Sequence, residues 1–165
     1  IAGVMPMDLL ATLRKQGEGA SAADRSTQKE GAMEIWQDRW ERATKGRWTW
    51  NLIPDVRRWL KRPHGQLTYC LVQFLTGHGH FKAYLKRIGK VASSRCNTCN
   101  EEETAEHTLL HCEDWDEYRR LAEVEAGIPL TAQNVAQLLT GGQHGWDTVE
   151  RLCTCLLYTS DAADD

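Results

Sequence analysis

The sequence contains no long hydrophobic run, and this absence excludes one large class of protein. No stretch of about eighteen apolar residues is present, so no segment has the composition of a membrane-spanning helix. The N-terminal IAGVMPMDLLATLRKQ also lacks the basic start and the cleavage site of a secretory signal. We therefore expect a soluble, intracellular protein with no membrane partner. In that reducing compartment the six cysteines should be free thiols or metal ligands, because cytosolic disulfides rarely persist.

Recognisable catalytic motifs are missing as well. The chain has no glycine-rich phosphate loop, no nucleophile elbow and no paired-carboxylate motif. His78 and His80 lie between glycines in LTGHGHF without a nearby carboxylate, so we interpret them as helix-boundary residues. An independent enzyme built on these two histidines stays a third hypothesis, and it requires activity in this chain alone.

Acidic residues are scarce in one part of the chain and basic residues in another. From Arg39 to Arg95 thirteen Lys or Arg residues face two acids, a net charge of +11. From Cys96 onward three Arg residues face fifteen acids, a net charge of −12. The basic part indicates a polyanionic partner, and the acidic part indicates either self-association or a solvated face.

The apolar residues that are present favour a helical protein. With 165 residues, 41% of them hydrophobic, the chain is long enough for one small domain with a core. Apolar positions recur at helical spacing and no segment alternates with period two for long, which predicts a mostly α fold with little or no sheet. A further helix is predicted with Pro54 in its first turn and Pro63 at its end, and a last helical segment is predicted around residues 146–152. The other predicted helices cover residues 6–16, 24–44, 67–75, 81–88, 114–126 and 131–139. The apolar residues at helical spacing in the 114–126 helix are Trp115, Tyr118, Leu121 and Val124.

Composition divides the chain into five regions. Residues 1–23 start without an initiator methionine and end in a Gly, Ala and Ser linker, so we expect the tail of a preceding domain. Residues 24–95 form a basic, Trp-rich helical region, 96–112 a metal knuckle and 113–154 an acidic helical region. Residues 155–165, CLLYTSDAADD, resemble a translated sequencing-library adapter, and we exclude them from the expected fold.

The knuckle, CNTCNEEETAEHTLLHC, offers Cys96, Cys99, His107 and Cys112 at the spacing C-x2-C-x7-H-x4-C. Structural zinc sites use four such ligands in a tetrahedron, and a C-x2-C turn supplies two thiolates close together. Thr104 can cap a short helix that carries His107. We predict a structural zinc site with no open position. His111 is a competing fourth ligand, and the alternative is that the cysteines are ordinary buried residues.

Five of the seven tryptophans lie between residues 36 and 59, interleaved with basic residues. We interpret Trp36, Trp40 and Trp59 as core anchors because they follow helical spacing. Trp48 and Trp50 alternate around Thr49, so one of their rings could face outward as a stacking platform for an unpaired base.

The basic side chains form the predicted nucleic-acid surface. A run of charge is often only a solvated face, but this one has almost no compensating acid, which favours phosphate contact. Lys82, Lys86 and Lys90 recur every four residues, which predicts a ridge along one side of a helix. The predicted contact residues are Arg39, Arg42, Lys45, Arg47, Trp48, Trp50, Arg57, Arg58, Lys61, Arg62, Lys82, Lys86, Arg87 and Lys90, and Arg95 completes the cationic surface.

Taken together, WQDRW, KGRWTWNLIPDVRRWL, HGQLTYCLVQFLTGHGHFKAYLKRIG and the knuckle resemble the C-terminal region of arthropod non-LTR retrotransposon polyproteins, of the group that inserts into ribosomal RNA genes or telomeric repeats. The resemblance runs from Ile1 to about Leu152. It implies that the first residues follow a polymerase domain and that the four knuckle ligands match the family's Cys-Cys-His-Cys positions. The catalytic residues of the polymerase and the endonuclease are absent from this chain, so it should not itself polymerise or cut.

The resemblance also implies a function. The chain would hold template RNA or target DNA during target-primed reverse transcription by the intact protein, an RNA-directed DNA polymerase with an endonuclease. Its partners would be RNA or DNA and the remainder of the polyprotein, in the nucleus at the site of integration and in the cytoplasm during synthesis. The alternative is a zinc-stabilised scaffold for intramolecular packing or self-association.

Overall fold

The structure is a computed structural model that describes residues 5–163, with side chains described up to residue 159. Every regular element in that range is helical, and the only β-type pairing there is an isolated bridge between Arg95 and Glu102. The prediction of a mostly α fold with little or no sheet is confirmed. No helix among the described residues is long and apolar enough to cross a membrane. Ile1 to Val4, which open the predicted tail of a preceding domain, lie outside the described residues, as do Asp164 and Asp165 of the adapter-like end.

The described range contains nine α-helices, one π turn and one 3-10 turn. The α-helices are α1 Met7–Gly17, α2 Ala22–Arg42, α3 Arg47–Leu52, α4 Val56–Lys61, α5 Tyr69–Thr76, α6 Lys82–Arg87, α7 Asp116–Ala126, α8 Ala132–Gly141 and α9 Gln143–Ala163. The π turn covers His107–His111 and the 3-10 turn covers Glu113–Trp115. Most predicted helices are present within a few residues of their expected bounds, whereas α3 was not predicted and α9 is much longer than expected.

The chain divides into two compact units, and the boundary in the sequence lies between Arg62 and Pro63. The first contains α1 to α4, and the second contains α5 to α9 with the π turn and the 3-10 turn. The predicted basic region of residues 24–95 therefore contributes to both units.

The first unit is built on α2, which packs against α1 and α4. Ser21 and Asp24 form a capping box, so α2 begins at Ala22, two residues earlier than expected. Leu9 and Met33 are buried between the helices. Burial of apolar surface contributes a free energy of about 25 cal/mol for each Å², and this contribution holds α1 against α2.

Tryptophans complete the core of the first unit, as predicted. Trp36 and Trp40 pack against the buried cluster, and the Trp40 indole N–H donates to the Ile53 carbonyl at 2.7 Å. Asp55, not Pro54, starts α4: the Asp55 carboxylate accepts the backbone N–H groups of Arg57 and Arg58 at 2.8 and 2.9 Å. The expectation that Pro54 lies in the first turn is wrong, because a carboxylate cap binds the first free N–H groups.

In the second unit α9 is the central helix and packs against α5, α7 and α8. Its Trp146 side chain is buried and covers Gly65, where an added Cβ would overlap the indole. Leu156 and Leu157 are also buried on α9. The exclusion of residues from 155 onward from the fold is therefore wrong for these two leucines, because they continue the buried stripe of Leu152 by one helical turn. The adapter-like origin of the segment stays a prediction.

Candidate metal centre

The structure brings together the four ligands that the spacing predicted. The donor atoms of Cys96, Cys99, His107 and Cys112 all lie within 4.8 Å of one another. The Cys112 sulfur is 3.7 Å from that of Cys96 and 3.8 Å from that of Cys99. His111, the competing fourth ligand, is exposed and is not part of this group.

A tight turn places the first two sulfurs side by side. The Asn100 N–H donates to the Cys96 carbonyl at 3.1 Å, and the Cys96 N–H donates to the Glu101 carbonyl at 2.8 Å. Asn100 has a φ of 55°, in the left-handed region that asparagine tolerates better than most residues. The asparagine therefore lets the chain reverse directly after Cys99.

A π turn supplies the other two ligands. The Thr104 hydroxyl accepts the His107 N–H at 3.0 Å, which caps the segment as predicted. The turn that follows is wider than the expected α-helix, because the Cys112 N–H donates to the carbonyl five residues earlier, that of His107, at 2.8 Å. In an α-helix, residues five apart point to different sides, and the wider turn brings His107 and Cys112 to one side.

The chemistry of the four side chains fits a metal ion. His107 is only 4% exposed, and neither of its ring nitrogens has a hydrogen-bond partner. Its Nδ1 is 3.3 Å from a Glu101 carboxylate oxygen, a distance at which the carboxylate can orient the ring although the pair is not aligned as a hydrogen bond. Burial, together with hydrogen bonds to the two other thiols, raises the pKa of Cys112 well above its usual value. A cation among these groups would reverse that effect by stabilising the thiolates.

Arg119 on α7 binds the end of the knuckle segment, and this role was not predicted from the sequence. Its side chain is buried, donates to the carbonyls of Thr108 and Cys112, and pairs with Asp116. It therefore binds two carbonyl groups at the end of the π turn, of which that of Cys112 also accepts the Trp115 N–H at 3.2 Å. A usable signal was present, since Arg119 is one of only three arginines in the acidic half.

The start of α6 is attached to the knuckle. The Ala83 N–H donates to the Glu103 carbonyl at 3.1 Å, and the Lys82 ammonium lies 2.9 Å from the Glu103 carboxylate. The same ammonium donates to the Asn97 side chain at 3.2 Å. Because α6 ends at Arg87, Lys90 lies beyond the helix. The predicted ridge of three lysines on one helical side is therefore wrong in its geometry: only Lys82 and Lys86 share the helix.

In the first unit several predicted phosphate ligands already have partners. Arg39 pairs with Asp8 at 2.5 Å, and this hydrogen-bonded guanidinium lowers the pKa of Asp8. Two similar pairs join Arg42 to Asp38 at 2.7 Å and Arg57 to Glu34 at 3.3 Å. These acids lie before residue 39, so a charge count from Arg39 onward omits them.

The two tryptophans suggested as stacking platforms lie on α3. This segment is helical, so the expected alternating arrangement of Trp48 and Trp50 around Thr49 does not form. Both indoles are half-buried, and the Arg47 guanidinium covers the Trp50 ring at 4.0 Å. Arg62 covers Trp59 in the same way at 3.7 Å. Such cation–π contacts use ring faces that a base would otherwise occupy.

A smaller set of the predicted cations is exposed, and within the described range their side chains make no ion pair, hydrogen bond or ring contact. These are Lys45, Arg58 and Lys61 in the first unit and Lys86 and Lys90 in the second. They are the side chains best placed to meet phosphate groups.

Comparisons with known proteins identify relatives over part of the chain. No protein-family model and no solved structure matches the chain. It is 35% identical over 91 residues, 55% of its length, to the "Retrovirus-related Pol polyprotein from type-1 retrotransposable element R1 2" of Nasonia vitripennis. It is 34% identical over 116 residues, 70% of its length, to the R1 4 polyprotein of the same organism, and 32% identical over 89 residues to the R1 polyprotein of Bradysia coprophila.

These matches confirm the resemblance to retrotransposon polyproteins and support a retrotransposon-related role. The matched part of the chain spans only 22%, 30% and 9% of the three relatives' own lengths. The position of this segment at the C-terminal end of such a polyprotein stays a prediction.

We predict that His107→Ala abolishes tight metal binding and that His111→Ala does not. His107 is one of the four clustered donors, whereas His111 is an exposed histidine of the same turn. In titrations with Co²⁺, followed by visible absorption, wild type and His111→Ala should bind one ion per chain with a tetrahedral spectrum. His107→Ala should bind about 100-fold more weakly or worse. Equal affinities for the two variants would exclude His107 as a ligand.

We also predict that Arg119→Ala destabilises the second unit and that Arg120→Ala does not. The first change removes a buried guanidinium that donates to the Thr108 and Cys112 carbonyls, at a cost of about 2 kcal/mol in the free energy of unfolding. Arg120 is the exposed neighbour on the same helix, and its loss should change that free energy by less than about 0.5 kcal/mol. Urea unfolding of the metal-loaded proteins measures both values, and similar effects would show that Arg119 does not hold the knuckle.

Proposed function

We propose that this chain is a nucleic-acid-binding region of a non-LTR retrotransposon reverse transcriptase, held in shape by one structural zinc ion. The premise is its similarity to R1 Pol polyproteins. The observation that carries the proposal is the clustered Cys3His group in the same unit as the exposed Lys86 and Lys90.

Zinc is the metal that best fits the four donors. A tetrahedral site with metal–sulfur bonds of about 2.3 Å has edges of about 3.8 Å. The two measured sulfur pairs, 3.7 and 3.8 Å, match that edge. Three thiolates and one imidazole fill all four positions, so the ion would hold the fold and would have no open position for a substrate.

Nucleic acid is the partner that best fits the exposed cations. Lysine and arginine side chains that are exposed and free of acidic partners gain most from phosphate contact, since binding releases counterions from the nucleic acid. Lys86 and Lys90 meet this condition in the second unit, as do Lys45, Arg58 and Lys61 in the first. These residues are a subset of the surface that the sequence predicted.

Within the intact protein, the proposed role is to hold template RNA or target DNA during target-primed reverse transcription. Polymerase and endonuclease chemistry would come from the remainder of the polyprotein, and this chain would add no catalytic group. The corresponding locations are the cytoplasm during synthesis and the nucleus during integration.

A scaffold role is the second candidate, and one observation favours it. Leu121 and Val124 on α7 are 62% and 77% exposed, on a helix with several acidic residues. Exposed apolar side chains of this kind are typical of surfaces that pack against another protein. Under this alternative, zinc would stabilise a surface for the remainder of the polyprotein or for a second copy, and nucleic acid would not bind.

Charge reversal separates the two candidates. We predict that the double variant Lys86→Glu, Lys90→Glu binds RNA and DNA more than tenfold more weakly than wild type. The fall of log affinity with log salt should also become less steep, by about two in the slope. Lys15→Glu with Lys29→Glu changes the net charge equally at exposed sites outside the predicted surface, and should have a much smaller effect. Fluorescence anisotropy over a salt series provides both numbers. Negligible affinity of the wild-type chain at moderate salt would support the scaffold instead.

A further inference from the structure

The loop between α5 and α6 presents one aromatic pair at the surface. His78 is exposed, and its imidazole stacks on the Tyr84 ring with centroids 4.7 Å apart and planes 29° apart. Tyr84 is half-buried on α6 and therefore forms the back of the stack. The sequence predicts a helix-boundary position for His78, but such a position alone does not account for the stacking of its imidazole on Tyr84.

Buried polar contacts fix the conformation of the loop. The Gln73 side chain is buried, and its Oε1 accepts the His80 N–H at 3.1 Å. Gly79 has a φ of 122°, and an added Cβ would overlap that same oxygen, so the position requires glycine. The His78 N–H donates to the Thr76 hydroxyl at 3.3 Å. Each residue around His78 is thus held by a specific contact.

Both ends of the loop are anchored as well. Gly77, with a φ of 67°, ends α5 and donates its N–H to the Gln73 carbonyl at 2.9 Å. At the other end Phe81 is buried edge-on against Phe74, with ring centroids 5.0 Å apart. The exposed imidazole is therefore pre-organised, which lowers the entropy lost when a ligand binds to it.

A cationic group lies beside the aromatic pair. The Arg87 guanidinium is 5.0 Å from the centroid of the Tyr84 ring. Lys86 and Lys90 are also exposed and make no ion pair within the described part of the chain, but Lys86 lies two residues from Tyr84 and therefore on a different side of α6. An aromatic face next to a cation is the combination by which proteins bind single-stranded nucleic acid, with bases stacking and phosphates pairing.

We propose that His78, supported by Tyr84, is a stacking platform for an unpaired base of single-stranded nucleic acid, with Arg87 contacting an adjacent phosphate. This inference rests on the proposed nucleic-acid function and specifies its ligand. A duplex keeps its bases stacked inside, so the platform selects single strands. The exposed His78 is better suited to this role than Trp50, whose ring Arg47 covers.

The test compares His78→Ala, His78→Phe and His111→Ala in the full, metal-loaded chain. Their affinities are measured by anisotropy for a fluorescein-labelled single-stranded RNA and for an RNA duplex of equal length. We expect His78→Ala to lose about fivefold to a hundredfold in single-strand affinity and less than about twofold in duplex affinity. His78→Phe restores a ring without a charge and should recover most of the loss. His111→Ala removes an exposed histidine outside the stack and should match wild type.

Three results would overturn the platform while leaving the proposed function intact. They are an unchanged single-strand affinity in His78→Ala, equal losses for single strand and duplex, and no recovery in His78→Phe. If the wild-type chain bound neither RNA, the proposed nucleic-acid function itself would fail, and this inference with it. Metal content and circular dichroism of each variant identify a loss that is due to misfolding.

Discussion

Three thiols and an imidazole lie within 4.8 Å of one another, all of them buried except that of the half-buried Cys99, and this crowding governs the conformation of the knuckle. Without a cation the arrangement is unfavourable, because buried polar groups need partners and both His107 ring nitrogens lack a hydrogen bond. The proposed zinc ion removes that cost and cross-links the turn after Cys96 to the π turn. A short segment with few apolar side chains can hold a fixed shape in this way, since metal binding and folding are coupled in such modules.

The knuckle in turn orders the elements around it. On one side Glu103 binds the start of α6 through the Lys82 ammonium and the Ala83 N–H. On the other side Arg119 attaches the end of the π turn to α7, which packs on the central helix α9. Helix α6, which carries Tyr84 and Lys86 on different sides, is therefore held against the knuckle, although neither residue is one of the four donors. This connection gives a structural zinc ion a functional consequence at the proposed nucleic-acid surface.

Sequence patterns were informative where the physics is local. The ligand spacing predicted the Cys3His group, and the helix predicted over residues 67–75 agrees within two residues with α5. Contacts between residues far apart in the sequence could not be predicted. Arg39 lies 31 residues from its partner Asp8, so a count restricted to the basic segment overestimated its free charge.

Helix α7 shows a further limit of periodicity. Its apolar spacing predicted the helix correctly, but Leu121 on that stripe is exposed, and the buried face carries Arg119 and Ala122 instead. An arginine occupies that face because its guanidinium donates to the Thr108 carbonyl of the π turn and to the Cys112 carbonyl that follows it. Hydrophobicity alone cannot reveal a buried charge whose partners are backbone groups of another segment.

If the four donors hold zinc in a closed tetrahedron, X-ray absorption at the zinc edge of the purified chain shows it directly. We expect one zinc ion per chain, with three sulfur neighbours at about 2.3 Å and one nitrogen neighbour at about 2.0 Å. A purified, folded chain without zinc, or a first shell made of oxygen and nitrogen alone, would contradict it.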